Sequence, residues 1–287
     1  MKNPVVSYPN CSIIRLKSGR DLAYCEFGDH KGKPLFFFHG WPGSSLSGME
    51  TDAAAKKLGI RVISPDRPGF GLSTYQENRK LLDWPNDVCE LADQLHIKKF
   101  AVLGVSGGAP YAAACAYKIP ERLTRIGIVV GLAPVSIPGN LDGVAFINRL
   151  GWNNYHNFPI VRTFSAFASQ LQYKQFPILA KIFAFQAKED KEILKSRKSF
   201  AAASEAFRQG VKGAEKDLQI YTDDWGFNLN DIETKVYLWY EAKDKNVSLN
   251  MGKYYHSQIS NSELFIDSFG GHLARYNYEE KILKRLT

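Results

Sequence analysis

Short apolar runs alternate along the first half of the chain with segments of helical hydrophobic spacing. The runs at 35–38, 100–105 and 126–130 contain no charged residue, which is typical of strands buried on both faces of a sheet. A further strand is predicted at 61–64, and the apolar residues of 84–96 recur at helical spacing. The alternation predicts a parallel sheet covered by helices on both faces.

Both ends of the chain add strands to this pattern. The segments 13–16 and 22–25 flank a turn at 18–20, which predicts a β-hairpin. Strands are predicted again at 236–240 and 263–266, with a terminal helix from about His272. The middle of the chain differs, because it contains no convincing buried strand.

That middle stretch, from about Pro134 to Asn230, contains helical patterns such as 161–171 and 191–207. We interpret it as a helical insertion in an otherwise continuous α/β domain. The insertion is rich in aromatic residues. We expect most of them to pack it against the core and the rest to line a largely apolar pocket. They are Phe146, Trp152, Tyr155, Phe158, Phe164, Phe167, Tyr173, Phe176, Phe183, Phe185 and Phe207.

Composition is that of an ordinary globular protein, with 45% hydrophobic and 23% charged residues in 287. The formal net charge is +8, yet the basic residues form no long run or motif, so nucleic-acid binding is not predicted. The longest apolar stretch, 126–137, is too short to cross a bilayer, and the N-terminus leads into no signal-peptide core. These features predict a cytoplasmic protein without membrane insertion.

Four cysteines, Cys11, Cys25, Cys89 and Cys115, show neither a CxxC pair nor metal-ligand spacing. In a chain of this length they do not resemble a disulfide scaffold. We therefore expect reduced thiols, with Cys25 in a strand and Cys115 in a helix behaving as small hydrophobic residues.

The segment Gly104-Val105-Ser106-Gly107-Gly108 fits the pattern G-x-S-x-G, with a predicted strand before it and a predicted helix, 109–118, after it. Such a serine sits on a strained turn that lifts its hydroxyl above the sheet. Small residues on either side let the helix approach the strand, and the helix N-terminus directs N–H groups at developing negative charge.

Four motifs in order now resemble the α/β-hydrolase superfamily: His39-Gly40-Trp41-Pro42-Gly43, Asp66-Arg67-Pro68-Gly69-Phe70-Gly71, the segment around Ser106, and Gly270-Gly271-His272. The resemblance covers the chain outside the insertion. It implies a mostly parallel eight-stranded sheet flanked by helices, with the insertion forming a helical cap over the site. The implied division is core at 1–133, cap at 134–232, and core again at 233–287.

The family order of nucleophile, acid and base assigns Ser106, Asp244 and His272. A serine hydroxyl needs a base within hydrogen-bond reach, and the base needs an orienting acid. Glu241, where the family usually has glycine, and Asp267 remain rival acids. The segment Asp66-Arg67-Pro68-Gly69 is interpreted as a structural turn.

The resemblance also implies an oxyanion hole made of the backbone N–H groups of Trp41 and Gly107. Together these residues predict a serine hydrolase that cleaves an ester or related acyl bond of a small, partly hydrophobic substrate, with no cofactor and no metal. Alternatives left open are a proline-iminopeptidase-like peptidase, a carbon–carbon bond hydrolase, a cofactor-free haloperoxidase and a slow-turnover small-molecule receptor. The oligomeric state cannot be predicted from the sequence.

Overall fold

The computed structural model describes residues 10–174, 190, 197–268, 270–273 and 279–287, and one eight-stranded sheet organises them. The strands are β1 (Cys11–Arg15), β2 (Asp21–Gly28), β3 (Lys33–Phe38), β4 (Ile60–Pro65), β5 (Phe100–Val105), β6 (Leu123–Val129), β7 (Val236–Glu241) and β8 (Ser262–Asp267). Their order is β1-β2-β4-β3-β5-β6-β7-β8. The pairings of β2 with β1 and β4 are antiparallel and the others are parallel, so the predicted fold class is confirmed.

The helices flank this sheet and fill the connection between β6 and β7. Among the described residues they are α1 (Asp52–Leu58), α2 (Trp84–Gln94), α3 (Ala109–Lys118), α4 (Phe146–Tyr155), α5 (Pro159–Lys174), α6 (Arg197–Ala206), α7 (Lys212–Thr222), α8 (Leu249–Gln258) and α9 (Glu279–Leu286). A 3₁₀ helix, Ser45–Thr51, directly precedes α1.

Strand β3 shows why the central strands are wholly apolar. Phe36 and Phe38 belong to a core cluster with residues of α2, α3 and α8. Leu35 and Phe37 point the other way and join a second cluster with residues of α1 and α9. Because both faces of the sheet are covered, successive side chains of a central strand are all buried.

Two predicted boundaries were wrong. The terminal helix does not begin at His272, because His272 and Leu273 lie in a turn and α9 begins at Glu279. The strand predicted at 236–240 extends one residue further, because Glu241 is the last residue of β7 and is buried there. The part of the predicted helix 191–207 that precedes residue 197 lies outside the described residues.

Helices α4 to α7 lie in the predicted insertion, 134–232, whose boundaries stay a prediction. The predicted packing role of its aromatic residues holds for Phe207, which is fully buried against Phe70. Phe146 and Phe164 do not pack in this way, because their side chains are mostly exposed. Phe176, Phe183 and Phe185 lie outside the described residues.

No helix in the described part of the chain is long and apolar enough to cross a membrane.

The expectation of a reduced Cys25 was wrong, because a disulfide joins Cys25 to Cys11. The two residues lie directly opposite each other on antiparallel strands β1 and β2, so the strand register brings their side chains together. Cys89 and Cys115 are free thiols. The predicted cytoplasmic location stays a prediction.

This bond should be detectable in the purified protein. Without reductant, the denatured chain should expose two free thiols out of four, and with reductant all four, as counted by alkylation and mass spectrometry. The bond closes a 14-residue separation, so its loss should lower the free energy of unfolding by about 3 kcal/mol on chain-entropy grounds. Cys25→Ser should show this loss and Cys89→Ser should not. Four reactive thiols without reductant would contradict the assignment.

Candidate active site

Ser106 follows β5 directly and stands at a positive φ of 53°, in the left-handed region that side chains rarely adopt. A 3₁₀ turn, Ser106–Gly108, leads into α3. A Cβ atom at Gly104 would lie 2.7 Å from the carbonyl oxygen of Gly108 and 2.8 Å from the Cβ of Ala112. The glycine therefore allows strand and helix to approach closely around a serine raised at the edge of the sheet.

The His272 ring lies between the two other predicted residues. Its Nε2 is 3.1 Å from Ser106 Oγ, and its Nδ1 is 2.6 Å from Asp244 Oδ2. Because a carboxylate accepts only, Nδ1 carries the proton in this pairing and Nε2 is left to accept from the serine hydroxyl. The structure thus brings Ser106, Asp244 and His272 into one hydrogen-bonded chain, although 166 residues separate the serine from the histidine.

Asp244 is fixed by its own loop. Its Oδ1 accepts hydrogen bonds from the backbone N–H groups of Asn246 at 2.7 Å and Val247 at 3.0 Å. The other oxygen is therefore directed at His272, and the side chain is almost completely buried. Both oxygens of this carboxylate therefore accept hydrogen bonds.

A second carboxylate, which sequence reasoning missed, fixes the backbone of the histidine. Asp190 is buried, and its two oxygens accept from the backbone N–H groups of His272 at 2.8 Å and Leu273 at 2.7 Å. Burial raises the pKa of Asp190, and these two N–H groups oppose the rise. Asp190 lies in the insertion, where no local pattern in the sequence marked it.

The rival acids occupy different places. Glu241 has no hydrogen bond from its carboxyl oxygens to any described side chain, and it lies opposite Asp267 in the sheet register. Burial, together with Asp267, Asp244 and Asp190, raises the pKa of Glu241 to about 8. Asp267 is exposed at the end of β8.

The loop after β3, which contains the predicted oxyanion donor Trp41, lies against the serine. A Cβ atom added to Gly107 would lie 3.2 Å from the Cβ of Trp41, and one added to Gly40 would lie 3.3 Å from the Cβ of Ser106. The Trp41–Pro42 peptide bond is cis. The backbone N–H of Trp41 donates to no acceptor among the described residues, so it is available to a bound oxygen.

A buried cluster of charged side chains contacts this loop through Arg67. Arg67 and Arg79 share the carboxylate of Asp217 on α7, and all three side chains are almost completely buried. Burial alone would raise the pKa of Asp217, but the two guanidinium groups lower it to about 2. Tyr111 and Tyr221 donate to the same carboxylate at 2.6 and 2.9 Å.

Asp66 is a structural turn residue in this structure, as the sequence interpretation has it. Its carboxylate accepts from the backbone N–H of Ser45 at 2.5 Å and of Leu72 at 3.4 Å. Burial raises the pKa of Asp66 to about 6, against the lowering effect of these bonds.

A cavity of about 320 Å³ opens beside Ser106 and His272. Its wall combines aromatic side chains with neutral polar ones and the acidic Glu50, and none of the described lining residues is Lys or Arg. The aromatic group is Phe37, Trp41, Trp152, Tyr155, Tyr173, Phe200 and Tyr221, and the polar group includes Asn148, Ser169, Gln172 and Asn246. Of the aromatic residues predicted to line a pocket, Trp152, Tyr155 and Tyr173 do so.

In the described part of the chain, no group of three or more His, Cys, Asp or Glu residues is arranged to hold a metal ion.

Several known proteins are similar to this chain over part of its length. A non-heme chloroperoxidase from Streptomyces lividans is 29% identical over 135 residues, which are 46% of this chain and 49% of that protein. A bifunctional esterase/perhydrolase from Acinetobacter calcoaceticus is 28% identical over 138 residues, with the same coverage. The chain thus spans about half the length of these curated relatives.

Solved structures resemble the whole chain in fold. An esterase from Exiguobacterium antarcticum has a TM-score of 0.70 at 18% identity, and the match covers 96% of this chain and 97% of that one. An enol-lactonase from Burkholderia xenovorans gives the same TM-score, identity and coverage. At this identity the likeness establishes the fold.

The family model for the alpha/beta hydrolase fold matches residues 33–276, a range that includes β3, the Ser106 turn, the insertion and His272. The chain therefore belongs to the α/β-hydrolase fold family.

Proposed function

We propose that this protein is a serine hydrolase that cleaves an ester or related acyl bond of a small, partly hydrophobic substrate. The observation that carries the proposal is the His272 ring, which lies within hydrogen-bond distance of Ser106 Oγ on one side and Asp244 Oδ2 on the other. This arrangement is what a weak hydroxyl nucleophile needs for activation near neutral pH.

In the first half-reaction Ser106 Oγ attacks the acyl carbonyl carbon while His272 Nε2 takes the hydroxyl proton. The carbonyl oxygen becomes an oxyanion, which the N–H groups of Trp41 and Gly107 would stabilise. Asp244 holds the imidazole in the required tautomer and stabilises the imidazolium that forms. His272 then gives its proton to the leaving group, and the acyl group stays on Ser106.

In the second half-reaction His272 takes a proton from water, whose oxygen attacks the acyl-enzyme carbonyl. The tetrahedral intermediate collapses with return of the proton to Ser106 Oγ, and the carboxylic acid leaves. The free serine is restored, so the cycle uses only water and the ester.

The substrate class follows from the cavity wall. Aromatic faces such as Trp152 and Phe200 favour an apolar acyl or alcohol part, and Gln172 and Asn148 can hydrogen-bond a neutral polar group. Since no Lys or Arg lines the described wall, a carboxylate or phosphate on the substrate would be bound without a counter-charge.

Perhydrolysis is a second candidate, favoured by the relative named as a bifunctional esterase/perhydrolase. Hydrogen peroxide in place of water would attack the same acyl-enzyme and release a peracid. Peracid formed from an ester and hydrogen peroxide, measured against acid formed from the ester alone, separates the two activities.

A fluorophosphonate probe should label Ser106 in the folded protein, as located by peptide mass spectrometry. Ser106→Ala should lose this label and lower ester turnover by about 10⁶-fold. Ser44→Ala, which removes another buried serine hydroxyl, serves as the control and should keep both. A folded wild-type chain that is not labelled and hydrolyses no ester in a panel of graded chain length would refute the proposed function.

Replacement of each carboxyl by its amide should identify the acid. Asp244→Asn forces the wrong histidine tautomer and should lower kcat by about 10⁴-fold. Glu241→Gln should change kcat by less than about tenfold, because its carboxyl makes no hydrogen bond to His272 in this structure. The reverse order of effects would assign the role to Glu241.

Glu241 should instead make stability depend on pH. Its pKa is about 8 in the folded chain against an ordinary value of 4.5, so between these values the folded state binds more protons than the unfolded state. The free energy of unfolding should therefore fall as pH rises from about 5 to 8, and the contribution is fully lost above that range. Urea unfolding at pH 6 and pH 9 should show a smaller difference for Glu241→Gln than for wild type.

The exposed Glu121 provides the control for this measurement, because Glu121→Gln should keep the pH dependence of the wild type. An unchanged pH dependence in Glu241→Gln would show that this carboxyl does not titrate in the expected range.

A further inference from the structure

The peptide group that joins Gly40 to Trp41 has its two ends in different surroundings. Its carbonyl oxygen is 2.9 Å from His39 Nδ1 and accepts from Arg67 Nη2 at 3.0 Å. Its N–H end is the proposed oxyanion donor of Trp41. Because a trans peptide is planar, with C=O and N–H pointing in opposite directions, whatever fixes the carbonyl also fixes the direction of the N–H.

Arg67 holds this loop through more than one contact. Nη1 donates to the carbonyl oxygen of His39 at 2.6 Å, so one guanidinium bridges two successive carbonyls of the loop. The buried His39 ring is neutral, since burial and the neighbouring Arg67 hold its pKa well below its usual value. The only full charge at these two carbonyls among the described residues is therefore that of Arg67.

Arg67 is in turn held by the insertion. Its Nε donates to Asp217 Oδ2 at 2.9 Å, and its side chain is fully buried. The same helix, α7, also contacts the loop directly, because Trp41 Nε1 donates to the carbonyl oxygen of Ala214 at 2.9 Å. Helix α7 thus holds the loop that carries the proposed donor in two ways: through Arg67, which Asp217 binds, and through Ala214, three residues earlier.

The charges of this cluster do not balance. Arg67 and Arg79 contribute two positive charges and Asp217 one negative charge, all in a region closed to solvent. A positive charge at the carbonyl end of a peptide polarises the group and makes its N–H a stronger donor, and the low local dielectric increases the effect.

We propose that Arg67 is a positioning residue for the oxyanion hole: anchored by Asp217 of α7, its guanidinium orients and polarises the Gly40–Trp41 peptide so that the Trp41 N–H meets the developing oxyanion. The proposal rests on the proposed function for its chemistry. Its geometry is independent of which ester is cleaved. It makes the insertion part of the transition-state machinery as well as a wall of the pocket.

The test compares Arg67→Gln with Arg79→Gln. Each variant removes one buried guanidinium from the same carboxylate and leaves Asp217 with the other. Arg79 donates to Tyr111 and Asp217 but to no carbonyl of the loop, so it is the matched control. Both variants are assayed with p-nitrophenyl acetate, and circular dichroism establishes that each is folded.

Arg67→Gln should lower kcat by about 10²-fold with KM changed less than about threefold, as expected for a misplaced transition-state donor. Arg79→Gln should lower kcat by less than about tenfold. A trifluoromethyl ketone supplies the readout that a merely structural role would not move. Ser106 Oγ bonds to its carbonyl carbon, His272 takes the proton, and the ketone oxygen becomes an oxyanion, so its affinity should weaken in Arg67→Gln by about the same factor as kcat.

Equal losses in both variants, or loss of kcat with unchanged ketone affinity, would overturn the proposal. If Arg67→Gln does not fold, Arg67→Lys takes its place. It keeps the charge but cannot bridge both carbonyls with a planar fork, and it should lose about tenfold in kcat and in ketone affinity. Wild-type behaviour of Arg67→Lys in both assays would also overturn the proposal.

Hydrogen exchange separates this proposal from the proposed function. The peptide that contains residues 39–43 should exchange faster in the folded Arg67 variant than in wild type or Arg79→Gln, whether or not any ester is cleaved. If wild type neither reacts with fluorophosphonate nor hydrolyses esters, the proposed function fails while the exchange result still decides the positioning role. Unchanged exchange in the Arg67 variant overturns the positioning role alone.

Discussion

The left-handed backbone of Ser106 is the constraint on which the site depends. A residue with a side chain is held at φ 53° because the strand before it is buried along its whole length and the helix after it packs closely through Gly104 and Ala112. Such a conformation costs of the order of 1–3 kcal/mol and persists only where its surroundings determine it. Relaxing this turn would move the hydroxyl away from His272.

The other groups meet the serine because parallel strands end at one edge. The loop with Trp41 follows β3, Ser106 follows β5, Asp244 follows β7, and His272 follows β8. In a parallel sheet these carboxyl ends form a common edge, where ligand sites of open α/β sheets are found. Residues far apart in sequence are thus brought together by strand order, and the pairing of β5 next to β3 puts the loop beside the serine.

Charge is distributed unevenly about this edge. On the loop side of Ser106 a buried cluster has an excess of positive charge, from Arg67 and Arg79 against Asp217. On the histidine side several carboxyl groups gather, among them Asp190, Glu241 and Asp244. The reaction proposed above would move negative charge toward the loop and positive charge onto His272, so the fixed charges of the fold favour that separation.

Periodicity and motifs were sufficient to predict the sheet, the helices of the core and the residues that surround the serine, because each of these has a local signal. A buried strand is apolar throughout, and a tight strand-to-helix turn requires glycine. Asp190 and Asp217 have no such signal, since an acidic residue among other charged and polar residues resembles any solvated one until its partner is known. The Cys11–Cys25 disulfide was missed for a related reason, as only the register of β1 against β2 brings the two thiols together.

Contacts between residues that are far apart in the sequence leave no local signal. The same separations also affect how the site forms during folding. Ser106 and His272 are 166 residues apart, and Arg67 and Asp217 are 150 apart. Contacts of such separation require closure of large loops, which makes them slow and late steps of folding. A refolding chain should therefore regain its secondary structure before its site, and the return of activity in time marks the completion of the fold.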